Sequence, residues 1–243
     1  MPNKQKIGIF FWLIIFIVTL SLRQFEILKL VTLLGLPLLI MGFGPMFYQK
    51  ISLNRKFWFI PIVVSINLGI FFIDINPIPF NSSVITIVLL TLFIPIILLI
   101  FRLKECYQTI KTTQLFEPLN NTDFLRMLCQ SILLLIGEEI LFRGVFFQTL
   151  YNEKYAVELI VLNILIFVYY HYFNRFSASI YKTKDYIFHG LLAINLSVLY
   201  IYTQSLFLCI ISHFIYNSIS ILSLLLRSSI YQNFKKKGDA SLQ

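Results

Sequence analysis

The sequence predicts an all-α polytopic membrane protein, with about eight transmembrane helices and a polar cavity within the helix bundle. Three observations predict it. Of 243 residues, 58% are hydrophobic and only 13% charged, roughly half the charged share of a soluble domain, and the mean hydropathy is +0.82. The apolar residues fall in long runs separated by short polar connections. Lysines and arginines gather in alternate connections, the pattern of a chain threaded back and forth through a bilayer.

A helix needs about 20 apolar residues to cross the hydrocarbon layer, so 243 residues hold few elements besides the spans. The segments are Ile7–Leu22, Leu30–Tyr48, Phe57–Ile73, Val84–Phe101, Ser131–Tyr151, Val157–Phe173, Tyr186–Tyr202 and Ser205–Leu226. Lys4 and Lys6 precede the first in the manner of a signal peptide, but no small-residue cleavage site comes before Arg23, so an uncleaved first span is expected. With a cytoplasmic N-terminus, the inside connections collect Lys50, Arg55, Lys56, Arg102, Lys104, Lys111, Arg175, Lys182, Lys184, Arg227 and Lys235 to Lys237, whereas the outside loops hold Arg23, Lys29 and Lys154. Both termini are therefore expected on the cytoplasmic face of a cell membrane. The Asp74–Ser83 loop has no basic residue and fits the outer face.

The expected organisation is an N-terminal set of helices and a cytoplasmic connection over 1–130, a core over 131–226 and a polar cytoplasmic tail over 227–243. Within the connection, Thr122 or Asp123 is placed to cap a helix running on into the fifth span. The formal charge of +9 would suit nucleic acid in a soluble protein, but here the basic residues set topology, so the lipid bilayer is the expected partner and nucleic acid is not. Cys106, Cys129 and Cys209 offer neither a disulfide framework nor a zinc-ribbon spacing.

Ionisable residues inside a span are costly and mark functional sites by default. Glu138, Glu139, Arg143 and His213 lie in such positions, with His171 near a span end. Glu139 and Arg143, four residues apart, share a helix face and could neutralise each other as a structural pair. Glu138 points about 100° away and needs a partner of its own, or stays protonated. A carboxyl tuned in an apolar pocket is how a general acid or base is made. His171 could be an interfacial histidine, and His213 with Asn217, again four apart, could be hydrogen-bonding glue between helices. At about 1.5 Å rise per residue, Glu138 lies roughly 10 Å, His171 roughly 5 Å and Asn217 roughly 14 Å from the cytoplasmic ends of their spans, with His213 a turn deeper. These depths are compatible with one cavity open to the cytoplasm.

Glu138-Glu139-x-x-x-Arg143, Phe167-x-x-x-His171 and His213-x-x-x-Asn217 occur in this order on three apolar segments. Together they resemble the motif set of the CPBP family, the CAAX prenyl protease and bacteriocin-processing proteins, also called Abi membrane proteases. The resemblance covers about Ser131 to Ser218. It implies an intramembrane endopeptidase acting on a membrane-associated peptide or protein, with no cofactor. In the family's terms Glu138 and His171 activate a water, His213 and Asn217 stabilise the oxyanion, and Glu139 and Arg143 support the site. The chain departs from the family at Asn195, where a small residue is common, and at Gln204, where glycine is usual. His189 has no family role and reads as a span-end residue.

Other readings stay open. Glu138, Glu139, His171 and His213 could bind zinc, although no His-Glu-x-x-His pairing is present. Cys209, His213 and Asn217 line one helical face at spacings of four, suggesting thiol chemistry, but that leaves Glu138 unused. An inactive Abi-type scaffold, regulator or immunity protein, or a transporter, would keep the shape without the hydrolysis. Among substrates, a leader or signalling peptide, in maturation or bacteriocin self-immunity, is favoured over a prenylated CAAX tail.

Overall fold

The computed structural model describes residues 30–37, 59–73, 82–113, 115–173 and 182–228. The expected span Ile7–Leu22, most of Leu30–Tyr48, most of the 74–83 loop and the tail beyond 228 lie outside the described residues. Among the described residues the chain is mostly helical and has no strand. Residues 30–37 are helical. Then come α1 (Phe59–Asn67) with a 3₁₀ turn, Leu68–Phe72; α2 (Ser82–Phe101); α3 (Leu103–Thr113); and α4 (Asn121–Glu139). Helix α4 runs into a π turn, Ile140–Val145, and then α5 (Phe146–Leu150). After a 3₁₀ turn at Glu153–Tyr155 follow α6 (Ala156–Phe173), α7 (Thr183–Thr203) and α8 (Leu206–Leu226).

Among the described residues three helices are long and apolar enough to cross a membrane, Glu153–Tyr172, Thr183–Thr203 and Leu206–Leu226. A fourth span results if Ile85–Phe101 and Leu103–Thr113, bent by 68°, count as one. The last three expected segments thus coincide with α6, α7 and α8. The third expected segment is a shorter apolar helix, Ile62–Phe72. The fifth, Ser131–Tyr151, is not one regular span: it carries Glu138, Glu139 and Arg143 in its middle and changes helical register there.

Helix α4 begins where Asn120 Oδ1 accepts from the Asp123 amide at 2.8 Å, and Asn120 Nδ2 donates back to Asp123 Oδ2 at 3.1 Å. The cap is therefore Asn120 rather than Thr122 or Asp123. Asp123 takes the reciprocal position of a capping box, where its carboxylate also suits the positive end of the helix.

The chain divides into two compact units. The first takes its described residues from 1–75 and 137–197 and contains α1, the π turn, α5, α6 and most of α7. Three glycines let α1 and its 3₁₀ turn approach the α4 end and π turn closely. A Cβ on Gly137 would lie 2.5 Å from Ile66 Cγ2, one on Gly69 2.7 Å from Val145 Cγ2, and one on Gly144 2.9 Å from Ile73 Cγ2. The atoms in the way belong to β-branched side chains with little rotamer freedom. Small residues at such contacts are how helices meet in a membrane, where packing replaces the hydrophobic drive.

The second unit takes its described residues from 76–136 and 198–243 and contains α2, α3, most of α4, and α8. Helix α8 packs along α2 and α3. At the bend between those two helices Arg102 Nη1 donates to the Tyr216 hydroxyl on α8 at 2.9 Å. Beyond α8, the Arg227 carbonyl accepts from the Leu119 amide at 2.7 Å, and the Arg227 guanidinium sits 5.2 Å over the Phe116 ring. The connection leading into α4 is thus fastened to the end of α8.

Between α7 and α8 the chain turns at Gln204, whose φ of 52° is left-handed. The Gln204 amide donates to Tyr200 O at 2.7 Å, and Ser205 then caps α8 by accepting from the Leu208 amide at 3.4 Å. A helix end of this kind favours glycine, which gives a physical reason for the glycine usual at this place. We expect Gln204→Gly to relieve about 1 kcal/mol of left-handed strain, raising the thermal midpoint in detergent. At Gly137 we expect Gly137→Ala to cost about 1–3 kcal/mol by overpacking. Gly190→Ala is the control, since its Cβ would meet Val168 Cγ2 at an ordinary 3.7 Å. It should be neutral or stabilising, because alanine is the better helix former.

Candidate active site

Glu138 and Glu139 end α4, and their neighbours on the chain explain why two adjacent carboxylates have different surroundings. Glu139 and Arg143 are both fully buried and form an ion pair, Nη1 to Oε1, at 3.2 Å. Arg143 Nη2 also donates to Ala193 O on α7 at 3.4 Å, and its guanidinium lies 4.8 Å over the ring of Phe167. A buried charge of this kind is tolerable when a countercharge and further hydrogen bonds offset its loss of water.

Glu138 turns elsewhere. Its side chain keeps 14% exposure, and its Oε2 lies 3.8 Å from His171 Nε2 on α6. On the other side of the ring, His171 Nδ1 is 3.0 Å from the Phe167 carbonyl. A carbonyl can only accept, so Nδ1 is the donor there, and Nε2 is the ring atom turned toward Glu138. The separation is longer than a direct hydrogen bond. The Phe167 ring is fully buried, sits edge-on to Phe142 with centroids 5.0 Å apart and lies 4.5 Å from the His171 ring. This one side chain therefore packs beneath Arg143 and beside His171, which accounts physically for a phenylalanine four residues before the histidine.

The helix does not pass through this region as a regular α-helix. Over Ile140–Val145 it widens, and the Phe146 amide donates to Leu141 O, five residues back. Four residues overshoot one turn of an α-helix but fall just short of a π turn, which brings Arg143 back nearly above Glu139. Returning to the α register leaves one carbonyl without its usual donor. Asn163 Nδ2 on α6 donates to Phe142 O at 2.8 Å, and Ser197 Oγ on α7 donates to Asn163 Oδ1 at 3.2 Å.

The first unit thus gathers Glu138, Glu139, Arg143 and His171. His213 and Asn217 are placed in the second unit, one turn apart on α8, with His213 buried and Asn217 half-buried. Cys209, a further turn back on α8, is fully buried. Among the described residues no group of three or more His, Cys, Asp or Glu side chains is gathered as a metal site would gather them.

Sequence reasoning missed Asn163, Ser197 and His189. His189 is not a span-end residue: α7 begins at Thr183, and the His189 ring is buried, 4.2 Å from that of His171 and inclined 32° to it. The usable signal for Asn163 was its spacing. Asn163, Phe167 and His171 follow one another at intervals of four, along one face of α6.

No match was found among curated proteins or among solved structures. Residues 120–219, which include Glu138, Glu139, Arg143, His171, His213 and Asn217, match the family model of the Rce1-like proteins, type II CAAX prenyl endopeptidases, so the region that carries the motifs is similar to that family, the CPBP resemblance their order and spacing implied.

Proposed function

We propose that the protein is an intramembrane endopeptidase that hydrolyses a peptide bond in a membrane-associated peptide or protein with a water activated by Glu138 and His171. The observation that supports it most is the division of labour between the two carboxylates: Glu139 is sealed against Arg143, while Glu138 stays partly accessible opposite His171 Nε2. The Rce1-like match supports a CAAX-protease-type hydrolase, and the several apolar helices make the chain a membrane protein.

In this reading Glu138 accepts a proton from the water as its oxygen attacks the scissile carbonyl carbon. His171 holds the same water through Nε2 and keeps its orientation through Nδ1. His213 and Asn217 donate to the oxyanion of the tetrahedral intermediate. When the C–N bond breaks, Glu138 returns the proton to the leaving amine. The reaction proceeds without a metal, in a cavity open to the cytoplasmic side of a bundle of about eight spans, with both termini on that side.

The test is cleavage, in detergent, of two probes: a peptide ending in an isoprenylated CAAX sequence and a membrane-associated leader peptide. Wild type is expected to cleave at least one of them, with a rate unchanged by chelator. Glu138→Ala should lower kcat by about 10²–10⁴-fold at an unchanged thermal midpoint. Equal rates for wild type and Glu138→Ala would overturn the role of Glu138, and no cleavage of either probe by folded wild type would support an inactive scaffold or immunity protein. Loss of activity with chelator and its recovery on adding zinc would overturn the metal-free mechanism.

Glu139→Gln separates the two carboxylates. It leaves the Arg143 charge buried without its partner, a loss of about 3–5 kcal/mol, so this variant should show a lowered unfolding midpoint that Glu138→Gln does not share.

A further inference from the structure

A π turn is rare and readily reverts to the α-helix it interrupts unless something outside the helix holds it. Nothing in Ile140–Val145 forbids an ordinary helix, since the segment ILFRGV contains no proline. Relaxation would shift the register by one residue and turn the two flanks relative to each other by about 100°. Arg143, still within reach of Glu139 as any residue four positions on is, would turn away from the Ala193 carbonyl and the Phe167 ring, and the end of α4 that directs Glu138 toward His171 would lose its reference. The geometry of the motif therefore depends on what fixes the turn.

We infer that Asn163 is a positioning residue of the candidate active site: its side-chain amide, held in place by Ser197, locks the π turn and so keeps Glu138 directed at His171 and Arg143 against the Ala193 carbonyl and the Phe167 ring. Three observations carry this. Asn163 is fully buried, so its amide is not there for solvent. Its Nδ2 reaches Phe142 O at 2.8 Å, inside the π turn; since that carbonyl only accepts, the NH₂ must face it. Its Oδ1 accepts from Ser197 Oγ at 3.2 Å, and Ser197 is itself fully buried. Carbonyl, amide and hydroxyl thus form one directed chain across the π turn, α6 and α7, with each donor matched to an acceptor. Asn163 lies two turns before His171 on the same face of α6, so the helix that brings His171 to Glu138 also grips the turn beyond it.

This inference rests on the proposed hydrolase, and two independent measurements separate its failure from that of the reading beneath it. The first is kinetic. Asn163→Leu keeps the volume and removes the donor, and is expected to lower kcat by about 10²-fold at nearly constant KM, the scale on which small misplacements act. Ser197→Ala, which loosens the amide without cutting into the turn, should show a smaller loss of the same kind and serves if the leucine variant fails to fold. Asn163→Asp can donate only while its carboxyl is protonated, so its rate should fall with rising pH along a limb absent from wild type. A side chain that merely fills space would alter the unfolding midpoint and yield, but neither the kcat of the folded fraction nor the pH profile.

The second measurement needs no substrate. In protein labelled with ¹³C at phenylalanine carbonyls and ¹⁵N at arginine, the Phe-Arg steps are Phe101-Arg102 and Phe142-Arg143. Asn163→Leu or Ser197→Ala should move the Phe142 carbonyl resonance and leave that of Phe101 in place. Wild-type kcat in both variants, or an unmoved Phe142 resonance, overturns the proposal. If wild type cleaves neither probe, the hydrolase reading fails while the resonance still decides whether Asn163 holds the turn.

Discussion

The constraint from which the rest of the first unit follows is the burial of one ion pair, Glu139 with Arg143, in a chain that is only 13% charged. Removing each ion from water costs several kcal/mol even after relaxation, and attraction between the two does not by itself offset that. Elements far apart in sequence supply further contacts to the guanidinium, although its Nε has no hydrogen-bond partner among the described residues. Helix α7 brings the Ala193 carbonyl, and α6 brings the face of Phe167. The glycine contacts at Gly69, Gly137 and Gly144 draw α1 and its 3₁₀ turn against the same stretch. Packing around the pair therefore fixes where α6 and α7 stand, and with them His171 and His189.

Neutralising Glu139 also gives Glu138 its different environment. Two neighbouring carboxylates on a regular α-helix differ only in direction. Here one is closed off with its countercharge and the other faces an imidazole nitrogen at 3.8 Å. The His171 ring is constrained on three sides: Nδ1 at the Phe167 carbonyl, the Phe167 ring at 4.5 Å and the His189 ring at 4.2 Å. With Nδ1 committed to the backbone, Nε2 is the ring nitrogen left toward Glu138.

Much of this was legible in the sequence, for identifiable reasons. The apolar runs that became α6, α7 and α8 are long enough to define their ends to within a few residues, and charged residues within apolar sequence announce themselves by their cost. The four-residue spacing of Glu139 and Arg143 gave the pair. What was not legible depends on tertiary contacts. The π turn is written in ordinary helix-forming residues, and only the donor on Asn163 distinguishes it from an α-helix. Asn163 and Ser197 are uncharged, and polar residues of that kind in a span carry no sign of what they bond. His189 was misplaced because the apolar run was taken to start at Tyr186, whereas the helix begins a turn earlier through a polar stretch, Thr183 to Asp185. The cap lies two or three residues before the expected Thr122 or Asp123, because Asp123 is also a good cap type and takes the reciprocal position instead.

Helix α6 shows how one face can carry the whole arrangement. Asn163 fixes the π turn, Phe167 supports Arg143, and His171 meets Glu138, at three successive positions four residues apart. Because an α-helix is stiff over two turns, a displacement at any one of these contacts is passed to the other two. The turn therefore cannot relax without moving Arg143 against the Ala193 carbonyl and the Phe167 ring, and that ring cannot move without shifting the imidazole it flanks.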